Sequence, residues 1–382
     1  MNILIVSRGY PNATYPLNGI FELDQAKALA QRGHNVTVLA IDLRSIRRKR
    51  KLGYERNAVG KVNIECLNIP CGRIPGRLLC AIGIQGIRQV YKKIVSSGFE
   101  PEIVHSHFLD ISYMTKKALK DKNIPIVVTE HLSSMVTGEI TPWQEHMAKS
   151  LYNNVDGVIT VGKGLERVLK EKYEIVAKTI PNIVDETFFG IQKKSEEEQK
   201  YRFVTVGSLQ KRKNMELLVR AFKKVFSEEK GVELYVIGEG PQRELLQTLI
   251  NDLGLQQQVQ LLGLLNRDQI LGIFKKSDCF VLASNGETFG VVYIEALATG
   301  LPVIATRCGG PEDFVHNENG ILIDKNDEKA LIEALTKMKR DSRITYDSEA
   351  ISNEMKLKYS GASIAVQLEK YYQKIIKRSI SK

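Results

Sequence analysis

The chain has 382 residues, of which 43% are apolar and 26% are charged, a balance typical of a soluble globular protein with about two domains. This composition excludes disordered, collagen-like and disulfide-scaffold proteins. The formal charge is +11, and residues 1–122 carry all of the excess, with 20 Lys and Arg against 9 Asp and Glu.

In chain order, the first half alternates short apolar runs with helical stretches. Residues 2–7 and 35–41 are predicted strands, and residues 21–33 between them are a predicted helix that Gly33 ends. Further apolar runs read EIVHSH, PIVVTEH and DGVITV. Strands that alternate with helices indicate βαβ units and a mainly parallel sheet.

A second series of strands begins at YRFVTVGS and continues through VELYVIG, VQLLG, CFVLAS and PVIAT. We predict the α/β fold class, with two Rossmann-like doubly wound domains over residues 1–185 and 186–361. A polar run with alternating charge blocks places the linker near residues 182–200. The amphipathic segment at about 362–382 is a predicted helix that could pack back on the first domain.

None of these segments approaches the ~20 consecutive apolar residues that a membrane-spanning helix needs. The first residues also lack the basic and apolar regions of a signal peptide, so we expect a cytoplasmic protein. The five cysteines form no CxxC pair, which argues against both a disulfide framework and a cysteine-rich zinc site.

The densest basic run follows the second predicted strand. It contains Arg44, Arg47, Arg48, Lys49, Arg50, Lys51 and Arg56. Such a cluster can attract an anionic membrane surface, with help from Arg73, Arg77, Lys92 and Lys93, although a solvated loop is an equal alternative. No zinc finger, RNA-recognition signature or aromatic-interleaved basic segment occurs, so we expect no nucleic-acid partner.

Candidate ligand-binding residues follow strands, where parallel sheets bind their ligands. In the first domain, Gly19 lies in the loop before the first helix, where it allows close backbone approach to a ligand or simply makes a turn. His105 and His107 alternate on one strand and share a face, but no third metal ligand is evident, so we expect no metal site. His131 ends an apolar strand and is better placed for a substrate contact, with a structural role as the alternative for each histidine.

In the second domain, the segment VGSLQKRKN runs from a strand through Gly207 and Ser208 to three cations, Lys211, Arg212 and Lys213, before a helix. Cations beside a helix N-terminus favour an anion site, although the P-loop spacing is absent. The segment VIGEGPQRE, with Gly238 and Gly240, is a further glycine turn between a strand and a helix.

The most informative segment reads NGETFGVVYIEALATGLPVIAT and carries Glu287 and Glu295. If both were helical they would be offset by ~12 Å, which exceeds the separation of glycosidase carboxylate pairs. The spacing suits two contacts on one long ligand, with Thr288, Phe289 and Gly290 opening a helix whose amides hold a diphosphate. A nucleotide-sugar has that shape. The alternative is one surface carboxylate and one buried in helix packing.

These motifs together resemble glycosyltransferase family 4. The glutamate pair, the upstream segments VGSLQKRKN and VIGEGP, and YPLNGIFELDQAKALAQRGHNVTVL near the start follow the family pattern in order over nearly the whole chain. The resemblance implies the GT-B fold, two Rossmann-like domains facing a cleft, with the donor held mainly by the C-terminal domain and the acceptor by the N-terminal one. It implies transfer from a nucleotide-sugar with retention of configuration and without a cofactor or an essential metal.

By motif position, the resemblance assigns the donor-sugar hydroxyls to Glu287, the ribose to Glu295 and the diphosphate to Lys213, and it places His131 near the transferring sugar. The catalytic residues would be Glu287, His131 and Lys213. The donor-binding residues would be Gly19, Gly207, Ser208, Arg212, Lys213, Gly238, Glu287, Thr288, Phe289, Gly290 and Glu295. Many members carry an arginine where this chain has Ser208, and Arg212 could supply that charge.

We therefore expect a hexosyltransferase that uses a UDP-sugar and a hydroxyl acceptor, most simply a lipid-linked glycan intermediate of cell-surface polysaccharide synthesis. Such an enzyme could sit peripherally on the inner face of the cell membrane. Two alternatives stay open at this point. One is a nucleotide-sugar isomerase of the 2-epimerase type, and the other is a non-catalytic, membrane-associated partner subunit.

Overall fold

The computed structural model describes residues 1–12, 14–72, 74–190 and 200–381. The chain divides into two compact units, one of Met1–Ile183 with Gly361–Lys382 and the other of Val184–Ser360. Part of the predicted linker, residues 191–199, lies outside the described residues, as does Arg73.

The first unit is built on an eight-stranded sheet. Its strands are β1 (Asn2–Ser7), β2 (Asn35–Asp42), β3 (Gly53–Val59), β4 (Val62–Asn68), β5 (Ile103–His107), β6 (Ile126–Glu130), β7 (Gly157–Thr160) and β8 (Lys178–Thr179). Its helices before the second unit are α1 (Ile20–Gln31), α2 (Gly76–Ser96), α3 (Leu109–Ala118), α4 (Ser133–Thr137), α5 (Pro142–Tyr152) and α6 (Lys163–Tyr173). The strand order is β3-β4-β2-β1-β5-β6-β7-β8, parallel except for the antiparallel pair β3 and β4.

Helices cover both faces of this sheet, which explains why strands such as β1 and β2 are continuous apolar runs. Along β1, Leu4 and Val6 belong to the core beneath α2, α3, α5 and α6, whereas Ile3 and Ile5 belong to the core beneath α1. All four side chains are completely buried. The period-2 alternation of a strand thus divides one run of residues between two cores.

The second unit is built on a six-stranded parallel sheet. Its strands are β9 (Tyr201–Val206), β10 (Val232–Ile237), β11 (Val259–Gly263), β12 (Cys279–Leu282), β13 (Val303–Thr306) and β14 (Gly320–Ile323). Its helices are α7 (Met215–Phe226), α8 (Arg243–Asp252), α9 (Arg267–Phe274), α10 (Val291–Ala298), α11 (Glu328–Thr345) and α12 (Ser348–Tyr359). The strand order β11-β10-β9-β12-β13-β14 confirms the predicted doubly wound Rossmann-like class.

The final helix, α13 (Gly361–Ile380), packs in the first unit. Its residues Ile364, Leu368 and Tyr372 are fully buried in the core that α1 also lines. At the surface, Arg32, directly after α1, contacts Glu369 of α13 at 2.7 Å. The C-terminal segment therefore completes the first unit.

The hairpin β3–β4 differs from the prediction, which places the basic residues up to Arg56 in a loop. Arg56 lies in β3 and contacts Glu65 of β4 at 2.9 Å. No helix among the described residues is long and apolar enough to cross a membrane.

Candidate active site

The strand order of the second unit brings two sequence-distant loops together. Strand β9 pairs with β10 on one side and with β12 on the other, so the chain reverses direction of winding between β9 and β12. Ligands of open parallel sheets bind outside the carboxyl ends of the strands at such a switch point. The loops that leave β9 and β12 there carry the basic motif and the first motif glutamate.

An ion pair joins these two loops. Lys213 Nζ lies 2.5 Å from Glu287 Oε1, and their side chains are only 11% and 8% exposed. Arg212 Nη1 lies 3.7 Å from the other oxygen, Glu287 Oε2, and also donates to the carbonyl of Gly286. Two cations therefore converge on one carboxylate, an arrangement that can accept an anionic ligand.

Glu287 is held in the loop before α10 and is not helical, so the predicted helical offset between the two glutamates does not apply. Its backbone amide donates to the carbonyl of Cys308, and α10 begins after Gly290, whose φ of 95° lies in the left-handed region. Phe289 is 1% exposed and packs on Phe314 and Tyr359, so only its main chain is left for a ligand.

Glu295 lies within α10 and is also buried, at 6% exposure. Arg267 at the start of α9 reaches it, with Nε 3.7 Å from Glu295 Oε1, and places Nη1 3.4 Å from Asp185 Oδ2. Sequence reasoning missed Arg267, although its position just after strand β11, at the carboxyl edge of the sheet, was a usable signal.

The glycines after β9 and β10 have a packing role that the sequence did not reveal. A Cβ on Gly238 would lie 1.9 Å from the carbonyl oxygen of Gly207, and the φ of Gly238 is 139°. The amides of Gly207 and Gly238 donate to the carbonyls of Ile237 and Gly263. These two amides therefore bond within the fold, and the assignment of Gly207 and Gly238 to donor binding stays a prediction. Ser208 is exposed and Thr288 half-buried beside these loops.

In the first unit, the corresponding edge lies at the ends of β1, β5 and β6. Gly19 precedes α1 with φ 71°, and a Cβ there would lie 2.1 Å from the carbonyl oxygen of Gly9. Glycine is thus required at this position by backbone conformation and by close packing.

His131 lies at this edge in an aromatic cluster. Its ring stacks on Phe108 at 4.5 Å between centroids, and its Nε2 lies 3.1 Å from Nδ1 of His107. Arg8 places its guanidinium 3.5 Å from the centre of the Phe108 ring. Phe108 has φ 66° and ψ 147°, a backbone conformation that only glycine adopts readily and that marks functional sites when the surroundings hold it.

Burial controls the protonation of this cluster. It lowers the pKa of His131 to about 3, with the charge of Arg8 adding to the effect, and it holds the pKa of His107 well below the usual value. Burial raises the pKa of Glu22, in the first turn of α1, to about 7. His131 is therefore a neutral hydrogen-bonding group at physiological pH.

His105, on the same strand as His107, has a hydrogen-bond partner at each ring nitrogen. Its two ring nitrogens lie 2.6 Å from the hydroxyls of Tyr372 and Thr129, which supports a structural role. Within the described parts of the chain, no group of three or more His, Cys, Asp or Glu side chains is placed to hold a metal ion.

The basic run divides into buried and exposed members. Arg44 Nη2 and Arg50 Nε contact Asp42 Oδ2 at 2.6 and 3.2 Å, and the side chain of Arg50 is 3% exposed. Arg50 is therefore a buried structural residue paired with Asp42, contrary to the prediction that it belongs to an exposed basic patch. Arg56 forms an ion pair with Glu65, although its side chain is 60% exposed. The remaining members are exposed: Arg47, Arg48, Lys49 and Lys51.

The two halves of the chain match two sequence families. Residues 22–188 match the family described as Glycosyltransferase Family 4, and residues 188–356 match the family described as Glycosyl transferases group 1. Together the matches extend over most of the chain.

Among curated relatives, the GPI3 subunit of phosphatidylinositol N-acetylglucosaminyltransferase from Saccharomyces cerevisiae is 27% identical over 247 residues, which is 62% of this chain and 55% of the yeast protein. The chain thus spans about half the length of that relative. Among solved structures, sucrose-phosphate synthase from Thermosynechococcus elongatus is similar with a TM-score of 0.83 and 19% identity, covering 98% of this chain and 99% of that one. The Anabaena protein HepE in complex with UDP is similar with a TM-score of 0.73 and 17% identity, covering 98% and 100%.

Proposed function

This chain belongs to the family 4-like glycosyltransferases of the GT-B fold, and we propose that it transfers a sugar from a UDP-sugar to a hydroxyl acceptor with retention of configuration. The observation that carries this proposal is the pairing of Lys213 and Glu287 at the switch point of the second unit. This pairing supports the proposal, because it brings a cation and a carboxylate side by side at the edge where parallel sheets bind their ligands.

The second unit would bind the donor through three of its parts, the ribose, the diphosphate and the sugar. Glu295 binds the ribose hydroxyls from α10, the amides at the start of α10 and the side chains of Lys213 and Arg212 bind the diphosphate, and Glu287 binds hydroxyls of the sugar. A helix N-terminus and two cations favour the negative charge of a diphosphate, and buried carboxylates make strong hydrogen bonds to hydroxyls. The UDP bound by HepE, a structure of the same fold, supports uridine as the nucleoside.

The reaction would follow from electrostatics. Cleavage of the bond between sugar and diphosphate develops negative charge on the leaving oxygen and positive charge on the sugar ring. Lys213 and Arg212 stabilise the leaving group without reorganisation and without a metal ion. The acceptor hydroxyl attacks from the same face and gives its proton to the leaving phosphate, so the configuration is retained. His131 from the first unit would bind the transferring sugar.

We further propose that the acceptor is a lipid-linked glycan and that the protein acts at the inner face of the membrane. Four exposed cations of the basic run, Arg47, Arg48, Lys49 and Lys51, support this assignment. Two apolar neighbours are also exposed, Ile46 at 67% and Leu52 at 55%. Exposed cations interspersed with apolar side chains suit the headgroup region of an anionic bilayer.

Product analysis tests the reaction. The protein is incubated with UDP-glucose, UDP-galactose or UDP-N-acetylglucosamine, with and without a polyprenyl-diphosphate-linked monosaccharide, and with a chelator in parallel. We expect an α-linked product that needs the acceptor and resists the chelator. A new nucleotide-sugar formed without acceptor would identify an isomerase instead. Donor and vesicle binding with no turnover of any donor would identify a non-catalytic subunit.

A further inference from the structure

The neighbouring strands β5 and β6 of the first unit end in a pair of histidines with a single hydrogen bond between their rings. His107 is the last residue of β5, and His131 follows β6 directly. Nδ1 of His107 and Nε2 of His131 are 3.1 Å apart. One of these nitrogens must carry the hydrogen and the other must accept it.

Both rings are neutral, since burial disfavours the charged form of each. A neutral imidazole has one N–H and one bare nitrogen. Only two arrangements are therefore possible. Either His107 donates from Nδ1 and leaves its own Nε2 bare, or His131 donates from Nε2 and forces the hydrogen of His107 onto Nε2.

The surroundings of His107 favour the first arrangement. His107 is 0% exposed, and its Nε2 has no hydrogen-bond partner among the described residues. In the second arrangement this atom would be a buried N–H without an acceptor. Buried N–H groups without an acceptor are rarer in proteins than buried acceptors without a donor, which favours the first arrangement.

We propose that His107 is a positioning residue that fixes His131 as the Nδ1–H tautomer, so that His131 presents a hydrogen-bond donor to an oxygen of the bound sugar. Nε2 of His131 is taken by His107, which leaves Nδ1 as the nitrogen available to a ligand. The choice of ligand oxygen rests on the proposed function, whereas the tautomer rests on the histidine pair.

The neighbouring rings hold His131 in place for this role. Phe108 and Phe21 both stack with it, at 4.5 and 6.4 Å between centroids. Phe108 is itself fixed, because its amide donates to the carbonyl of Thr129 and its carbonyl accepts from the amide of Ser112. With the ring plane held by stacking, the tautomer decides whether Nδ1 of His131 donates or accepts.

Nitrogen NMR of the unmutated protein tests the tautomer directly. The chain is labelled with ¹⁵N-histidine, and long-range proton–nitrogen spectra distinguish a protonated Nδ1 from a protonated Nε2 in each of the 6 histidines. His131→Asn serves to assign the signals. We expect protonated Nδ1 in both His107 and His131. A protonated Nε2 in His131 would overturn the proposal, whatever the activity.

Two variants of His107 with similar shape test the consequence for turnover. His107→Asn retains an N–H donor near the position of Nδ1, whereas His107→Asp offers an acceptor there and draws the hydrogen of His131 onto Nε2. We expect His107→Asn to keep kcat within about threefold and His107→Asp to lower kcat by about tenfold or more, with the KM for acceptor nearly unchanged.

Equal activity of the two variants would overturn the proposal, as would the reverse order. The spectrum of His107→Asp shows whether His131 has changed tautomer, so a variant that fails to fold is recognised and the measurement on the unmutated protein decides. If His131→Asn itself turned over at the wild-type rate while the tautomer was as expected, the assigned role of His131 in the proposed function would fail instead.

Discussion

Breaking the ion pair between Lys213 and Glu287 tests the proposed donor site. Replacing Lys213 by Met removes the charge, keeps most of the apolar stem, and leaves Glu287 buried at 6% exposure. The carboxylate keeps only the more distant Arg212, at 3.7 Å from Oε2. Two properties should change together: the stability of the second unit and its affinity for the diphosphate.

The stability change follows from desolvation. Removing one partner of a buried ion pair typically costs about 3 to 5 kcal/mol, because the other charge is left uncompensated. Since Arg212 remains nearby and both side chains are about 10% exposed, we expect about 2 kcal/mol. For a unit of this size that corresponds to a fall in Tm of about 4 to 8 °C.

The affinity change follows from the loss of a charge-assisted hydrogen bond, typically ~1.5 to 3 kcal/mol. Calorimetric titration should show UDP binding about 10- to 100-fold more weakly to Lys213→Met, with uridine binding within about twofold of wild type. Lys211→Met is the matched control, because Lys211 lies in the same turn, is exposed, and has no ion pair among the described residues.

The double variant Lys213→Met with Glu287→Leu separates the two effects. It removes both buried charges, so it should recover at least half of the lost stability while its affinity for UDP stays low. A single variant as stable as wild type that also binds UDP normally would refute the reasoning. So would an equal loss of affinity for uridine and for UDP.

Three further predictions concern other parts of the chain. Glu295→Ala should weaken the binding of uridine and of UDP by about 10-fold or more in the same titration, because it removes hydrogen bonds to the ribose. The control Glu244→Ala, at an exposed position, should leave both affinities unchanged. Unchanged uridine affinity in Glu295→Ala would show that the ribose binds elsewhere. Gly238→Ala should lower the Tm of the second unit by several degrees, since its Cβ would lie 1.9 Å from the Gly207 carbonyl oxygen. The control is Gly272→Ala in helix α9, whose Cβ would meet no atom within 4 Å and which should leave the Tm equal or higher. An unchanged Tm for Gly238→Ala would contradict the packing argument. Replacing the exposed cations Arg47, Arg48, Lys49 and Lys51 by serine should reduce sedimentation with anionic vesicles at least about tenfold at low salt, without affecting sedimentation with neutral vesicles. Equal binding of the variant and the wild type to anionic vesicles would favour the solvated-loop interpretation.

Much of the fold was determined by local sequence patterns. Strands β1 and β2 follow from short, continuous apolar runs, and helix α1 follows from a helical stretch that Gly33 ends. Both kinds of signal depend only on neighbours along the chain. The alternation of such runs with helices was enough to predict two doubly wound units. The hairpin β3–β4 was missed. Strand β3 is polar and mostly exposed and lacks the alternation that identifies a strand, so its antiparallel pairing with β4 is what makes it one. Strand β4 does alternate, with Val62, Ile64 and Cys66 buried, and this signal was overlooked.

The candidate site was determined by the sequence only as a set of motifs. The residue types of Lys213, Glu287 and Glu295 indicated an anionic, hydroxyl-rich ligand, and the motif spacing indicated the family. That Lys213 contacts Glu287, 74 residues further along the chain, depends on the strand order that places β12 beside β9. Strand order is set by the packing of whole helices and strands, so no local window of sequence contains it.

The same physical reason explains the contacts of Arg50 and Gly238 that the sequence did not reveal. Arg50 has the sequence context of an exposed basic loop, yet Asp42 and the surrounding backbone carbonyls bury it. Gly238 has the context of a phosphate-binding turn, yet its neighbour is the backbone of Gly207. The sequence by itself determined which chemical groups are present and which elements carry them. Only the tertiary structure decided which of those groups are satisfied by the fold and which are left for a ligand, because burial and hydrogen bonding depend on partners far away in the chain.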